Sequence, residues 1–232
     1  MDYRGERDQM IERDLVRRGI VDPRVLDAFR RVPREAFVRP DMVELAYADA
    51  PLPIGDGQTI SQPYIVALTA EALQLKGHER VLDIGTGSGY AAAIISLLAA
   101  EVATIERFGS LADGARERLA RLGFDNVRVR CGDGSLGWPE YAPYDAIAVA
   151  AAAPEVPDAL REQLGVGGRL VIPIGRDVSS QVLMRVTRAG PTTFREESLG
   201  GVRFVPLIGA QGWSETETET VGSSDASDVL GR

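Results

Sequence analysis

From residue 80 onward the apolar positions fall into a repeating rhythm. "RVLDIG" is a short apolar run that ends on a glycine, and "GYAAAIISLLAA" is a longer stretch with helical character. "EVATIE" reads as a strand, "SLADGARERLARLG" as a helix and "NVRVRCGD" as a third strand. "YDAIAVAA", "VPDALREQLG" and "GRLVIPIG" continue as strand, helix, strand. Buried strands alternating with helices predict parallel β-α units. The expected fold is therefore α/β, a doubly wound, mostly parallel Rossmann-like sheet. "SQVLMRVTR" and "GVRFVPLIG" predict two more strands at an antiparallel C-terminal edge.

Ahead of residue 80 the pattern is different. "QMIERDLVRRGI" is amphipathic and stops at Gly19. The next helix has Asp22 as its N-cap and Pro23 in its first turn, and it closes at Pro33. Extended, proline-rich chain follows through "AYADAPLPIG", and then a polar loop, "GDGQTISQPY". Ser61 stands just before a helix with Pro63 in its first turn, so it reads as an N-cap. Capping does not explain Gln58 and Thr59 beside it. The second reading is a polar loop over a ligand crevice, and the two readings are compatible. The tail from Ser214 holds five acids, one arginine and almost nothing that builds a core, so disorder is expected over 214–232. Residues 1–213 then form one domain, with 1–61 as N-terminal helices and covering loop and 62–213 as core and edge strands.

Composition narrows the chemistry. Hydrophobic residues make up 44% and charged residues 26% of 232, as in ordinary soluble proteins. The longest apolar runs fall well short of a membrane span, and the charged N-terminus has no signal-like apolar stretch, so a cytoplasmic protein is expected. Net charge is −8, poorly suited to following phosphate backbones. Lys76 is the only lysine, which excludes a phosphate-binding Gly-Lys loop. One histidine and one cysteine exclude a metal site built from several such ligands. Cys131 is expected as a small buried residue rather than a nucleophile.

The sharpest local signal is "VLDIGTGSGY": a strand ending near Asp83, then glycines at 85, 87 and 89, then a helix. Glycines there let the backbone turn tightly and approach a ligand at the helix N-terminus. A dinucleotide loop would have its third glycine at position 90, where Tyr90 stands. The spacing suits an adenosyl ligand without pyrophosphate, with Asp83 able to pair with its amino group. Glu106, at the end of the next strand, can hold both hydroxyls of a ribose. Asp133 in "RCGDG" ends the third strand, where it can accept from an adenine amino group. Together these predict an S-adenosylmethionine-dependent methyltransferase. Amino-directed nucleic-acid enzymes carry an Asp/Asn/Ser-Pro-Pro-aromatic loop after the fourth strand, and here that place reads "AAAAPEVP". A cysteine nucleophile is absent there too. A carboxylate acceptor fits, because it is ionised at neutral pH and needs no base. Transfer is then a direct displacement governed by alignment.

"PLPIGDGQTISQPY", "VLDIGTGSGYAAAIIS", "GDGSLGWPEYAPYDAIAVAAAAPEVPDAL" and "VRFVPLIG" closely resemble the protein-L-isoaspartate O-methyltransferase family, over roughly residues 8–213. The resemblance implies methyl transfer to the α-carboxylate of isoaspartyl residues in damaged proteins and peptides. Succinimide formation and repair follow. It implies S-adenosylmethionine as cofactor and S-adenosylhomocysteine as product. From composition and charge, no metal, nucleic acid or membrane partner is expected, and a monomer is expected. Ser61 matches the family's active-site serine. Gln58, Thr59, Asp83, Gly85, Thr86, Gly87, Glu106, Asp133 and Gly134 match the cofactor site. The family's last strands exchange order relative to other methyltransferases, and "VRFVPL" matches the segment that closes on substrate. Tyr64 stands where some relatives have histidine. An alternative within the same chemistry is an aspartyl methyltransferase dedicated to one ribosomally made peptide. A third reading, a non-catalytic cofactor-binding module, would need a broken glycine loop or a missing ribose acid, and neither is seen.

Overall fold

The computed structural model describes residues 2–176 and 180–216. The expected tail beyond 216 lies outside the described residues. At the N-terminus, α1 (Arg4–Met10) runs on through a wide turn at Ile11–Leu15 and a tight one at Val16–Arg18. It stops where predicted, at Gly19 with φ +96°, but starts earlier than the apolar pattern suggested. Helix α2 (Pro23–Arg31) is capped by Asp22, whose carboxylate accepts from Arg24 N. Its apolar face, Val25, Ala28 and Phe29, is buried.

Arg34 is fully buried below the next stretch. Its Nε donates to Ala46 O at 2.8 Å and its Nη2 to Ala50 O at 3.4 Å, and its guanidinium lies over the Tyr90 ring. A buried cation thus ties down the loop that leads to the polar stretch.

That stretch is not a loop. β1 (Leu52–Gly55) and β2 (Gln58–Ile60) form an antiparallel hairpin. Asp56 (φ +50°) and Gly57 (φ +68°) make its two-residue turn, both in the left-handed region that such a turn requires. Leu52 and Ile60 point inward, and Thr59 is exposed. Helix α3 (Pro63–Ala72) follows at once, with proline in its first turn.

The main sheet has seven strands: β3 (Arg80–Ile84), β4 (Glu101–Glu106), β5 (Val127–Cys131), β6 (Tyr144–Val149), β7 (Leu164–Ile174), β8 (Gln181–Arg188) and β9 (Phe194–Val202). Their order is β5-β4-β3-β6-β7-β8-β9, parallel up to β7 and antiparallel beyond it. The last two strands lie in chain order, with β8 beside β7 and β9 at the edge. Period-two alternation sends Val81, Val102, Ala146 and Val171 into one core with the N-terminal helices and α4 (Tyr90–Ser96). Leu82, Ile84, Ile105, Ile147 and Ile172 go into the other core, with α6 (Asp158–Gln163). Between β4 and β5 runs α5 (Gly109–Arg121), which buries Ala112 and Ala115. Among the described residues no helix is long and apolar enough to cross a membrane.

One strand was misplaced. "GVRFVPLIG" is not the edge strand, since β9 ends at Val202. Pro206 has no N–H to give a ladder, and the chain turns inward instead. Ala152 N donates to Val205 O at 2.8 Å and Leu207 N to Ala152 O at 2.7 Å.

Candidate functional site

Winding outward from β3 through β4 to β5 and then back to β6 leaves a crevice at the carboxyl ends of β3 and β6. The glycine turn lies in it. Gly85 (φ +91°), Gly87 (φ +52°) and Gly89 (φ +91°) all take backbone angles that side chains resist. A Cβ on Gly85 would stand 3.4 Å from that of Ala150, across the crevice, and one on Gly87 would stand 3.1 Å from Ile54 of the hairpin. The turn is therefore enclosed between the β6 end and the hairpin. Gly85 N donates to Ile105 O at 2.9 Å, which fixes the turn against β4.

Glu106 ends β4 and is buried. Its Oε2 accepts from Gly87 N at 2.8 Å and its Oε1 from Phe108 N at 3.0 Å. The carboxylate is thus oriented by backbone on both sides, and each oxygen keeps a further acceptor position. Asp83 is deeper. It is 1% exposed, and its Oδ2 accepts from Thr104 Oγ1 at 2.8 Å, with Thr86 Oγ1 a further 2.6 Å along. Burial, together with the nearby charge of Glu106, lifts its proton affinity to about 7, against the bond from Thr104. Asp133 faces another way. Its Oδ1 accepts from Ser135 N and Ser135 Oγ, and its Oδ2 from Ala210 N at 2.7 Å. Of that pair it is Gly134 that lines the crevice, packed so closely on Ile84 that a Cβ would come within 2.4 Å.

Two segments close the crevice from above. One is β2, which brings Gln58 and Thr59 to it; the hairpin tip is held to α5 by a bond from Ser110 Oγ to Asp56 Oδ2 at 2.6 Å. The other is Val205–Ile208, anchored by Leu207 to Ala152 and by Trp213 Nε1, which donates to Ala152 O at 3.0 Å. The crevice between them encompasses about 770 Å³ of empty space, open solvent at its mouth included. Gly85, Gly87, Thr86, Glu106, Gly134, Gln58, Thr59 and Ser61 all line it. A backbone cradle with no room for side chains, ending at a buried carboxylate, fits an adenosyl group with a ribose.

A second, open groove adjoins it along Arg18, Gln62, Tyr64, Gln181 and Arg203, sharing Thr59, Ser61, Ala150, Val205 and Pro206 with the cavity. A small apolar pocket beneath, reaching Asp83, also touches Ser61. Ser61 thus stands where all three meet. It does not cap α3. The cap position is Gln62, with no side-chain bond to the helix end, and the Ser61 hydroxyl has no partner within the described residues.

Sequence reasoning missed Asp49, whose carboxylate meets the start of α3 from 13 residues away. No local capping pattern could have shown it. It also missed Arg107, which lines the cavity and pairs with Glu215 at 2.8 Å; its place next to Glu106 was the available signal. Cys131 is exposed, not buried. It ends β5, on the outermost parallel strand, where little covers it. Among the described residues no group of acids, histidine and cysteine could hold a metal ion.

A family model described as Protein-L-isoaspartate(D-aspartate) O-methyltransferase matches residues 5–212. Protein-L-isoaspartate O-methyltransferase 1 of Rhodopseudomonas palustris (strain HaA2) is 58% identical over 94% of this chain and 89% of its own length. Protein-L-isoaspartate O-methyltransferase 2 of Pelobacter propionicus is 61% identical over 89% of this chain and 92% of its own. Among solved structures, one titled protein-L-isoaspartate O-methyltransferase superposes with a TM-score of 0.81 at 33% identity, covering 89% of this chain and 67% of that one. A putative Plasmodium falciparum enzyme of the same name, in complex with S-adenosyl-L-homocysteine, gives 0.75 at 29%, covering 87% and 98%.

Proposed function

The chain belongs to the protein-L-isoaspartate O-methyltransferase family, and from that premise we infer how its own residues serve the reaction. It is a methyltransferase that uses S-adenosylmethionine and acts on the carboxylate of isoaspartyl residues in proteins. When bound, the cofactor supplies an electrophilic methyl group on a sulfonium and leaves as S-adenosylhomocysteine.

Gly85, Thr86 and Gly87 hold the amino-acid end of that ligand through close backbone approach, and Asp83 offers the charge opposite its ammonium. Glu106 takes the ribose hydroxyls, its direction preset by Gly87 N and Phe108 N. Gly134 bounds the adenine end, with Asp133 behind it tying Ala210 to the end of β5, and Gln58 and Thr59 cover the ligand from the hairpin. Ser61 takes the acceptor. Its hydroxyl donates to one oxygen of the isoaspartyl carboxylate and leaves the other as nucleophile. No base is needed, because the acceptor is already an anion. What the protein contributes is alignment and exclusion of water, effects worth several orders of magnitude in rate. The groove beside Ser61 has room for the peptide on either side of the reacting residue. The partners are isoaspartyl proteins and peptides. Nucleic acid stays outside the partner set, since a chain of net charge −8 suits it poorly.

The observation that carries this reading is the position of Ser61 at the meeting of cavity and groove, with its hydroxyl unclaimed by the adjoining helix. The test is methyl transfer from labelled S-adenosylmethionine to two peptides that differ only in aspartate or isoaspartate at one position. Base-labile label on the isoaspartyl peptide alone is expected. Label on the aspartyl peptide, or on neither with the cofactor tightly bound, would point to a dedicated substrate instead.

A further inference from the structure

Helix α3 begins without a local cap, so its first N–H groups need acceptors from elsewhere. Asp49 supplies one. Its Oδ1 accepts from Tyr64 N at 3.0 Å. Its Oδ2 accepts from Gln62 Nε2 and from Arg18 Nη1, both at 2.6 Å. The Arg18 guanidinium lies over the Tyr64 ring, 3.5 Å from its centre. Asp49 sits in the loop that buried Arg34 fixes through Ala46 O and Ala50 O. It lines neither the cofactor cavity nor the groove, whereas Arg18, Gln62 and Tyr64 all line the groove.

We propose that Asp49 is a positioning residue for the methyl acceptor: it caps α3 from a distance, which leaves the Ser61 hydroxyl free for the substrate, and it holds Gln62 and Arg18 as a wall of the groove. The proposal rests on the role assigned above to Ser61. A serine or aspartate that capped α3 itself would turn its oxygen back onto the helix N–H groups and away from the crevice. A remote cap removes that competition. It has an electrostatic cost, since a carboxylate now lies near the site of a carboxylate acceptor. Arg18 offsets it: the Asp49 carboxylate, 13% exposed, is paired at 2.6 Å with a guanidinium that is 44% exposed. Asp49 therefore acts through geometry, and Arg18 keeps its charge from repelling the substrate.

The two roles separate in steady-state kinetics on an isoaspartyl peptide, with cofactor affinity measured by calorimetry and Tm alongside. Asp49→Ala should lower kcat by about tenfold or more, the effect of small misplacement at a reacting centre. Cofactor affinity should stay within about twofold, because Asp49 touches no cavity residue that holds it. Asp49→Asn keeps an oxygen for Tyr64 N and should recover most of kcat. Arg18→Met should leave kcat alone and raise KM roughly threefold to tenfold, more at low salt than at high. An unchanged kcat in Asp49→Ala would overturn the proposal. So would a parallel fall of kcat, cofactor affinity and Tm that Asn does not rescue, which would make Asp49 a support of the fold alone. Ser61→Ala serves as the control. If it keeps wild-type kcat, the reading of Ser61 fails and this one with it; if it loses activity while Asp49→Ala does not, only this one fails.

Discussion

At the scale of single residues the informative groups are those whose surroundings conflict with their chemistry. Asp83 is a carboxylate with almost no solvent, and burial moves it from an ordinary 3.8 to about 7. Below its unfolded value both states keep the proton and the burial costs nothing electrostatic. As pH rises from about 4 to about 7 the unfolded chain ionises first, so stability falls, and the full penalty stands above that window. Asp83→Asn should therefore raise Tm at about pH 8 and hardly at about pH 4, with an upper limit of about 4 kcal/mol. If Asp83 faces the ammonium of the cofactor, wild-type affinity should rise with pH through the same window, and the Asn variant should lose that rise. Calorimetry at several pH values decides both. Ser61 is the opposite case, a polar group at ease in the fold with nothing to do there. Ser61→Ala should cost roughly tenfold to a hundredfold in kcat/KM, as for a lost donor to reacting oxygen. Its Tm should move by no more than about 2 °C, since no cap is lost. A large Tm change with activity retained would return it to a structural role.

Elements show which parts of the site could be foreseen. The glycine turn and Glu106 were legible because their requirement is local: a strand end, positive φ, an acid at the next strand end. The hairpin was half legible. Asp56-Gly57 is a turn signal, but Pro51 and Pro53 on one arm argued against a strand. The ladder survives because this is a short two-stranded ribbon with its other edge free of the main sheet. The capping of α3 was not legible, because Asp49 reaches Tyr64 only after Arg34 has fixed the loop that carries Asp49. The direction of Asp133 was hidden for the same reason, since Ala210 comes from the far end of the domain. The hairpin also carries a prediction. Its tip is fixed to α5 by one exposed bond, Ser110 Oγ to Asp56 Oδ2. Ser110→Ala should weaken cofactor binding by up to about fivefold, the worth of one such bond, and speed proteolytic cleavage at the turn. Unchanged protection would mean that Leu52 and Ile60 alone hold the cover down.

On the scale of the whole molecule, the sheet provides the crevice and the chain ends decide whether it is closed. The N-terminal third supplies the hairpin and the wall at Arg18. The last described stretch crosses the carboxyl ends of the parallel strands in turn: Val205 and Leu207 on Ala152 after β6, Ala210 on Asp133 after β5, and Glu215 on Arg107 after β4. The family match ends at 212, inside that crossing. Two truncations separate the role of the crossing from that of the residues beyond it. A chain ending at Thr216 retains every contact named for the site, and its kcat/KM should stay within about twofold of the full chain. A chain ending at Gly209 loses, besides the Glu215–Arg107 pair and the bond from Gln211 N to Ser135 Oγ, the two anchors that hold the crossing over the crevice: Ala210 N on Asp133 and Trp213 Nε1 on Ala152. Two such bonds, one to a carboxylate, are worth roughly 2–4 kcal/mol, enough to lower cofactor affinity by about a hundredfold if the segment comes away. The sheet core does not depend on them, so Tm should fall less than binding does. Equal losses in both would mean that the crossing belongs to the fold rather than to the site.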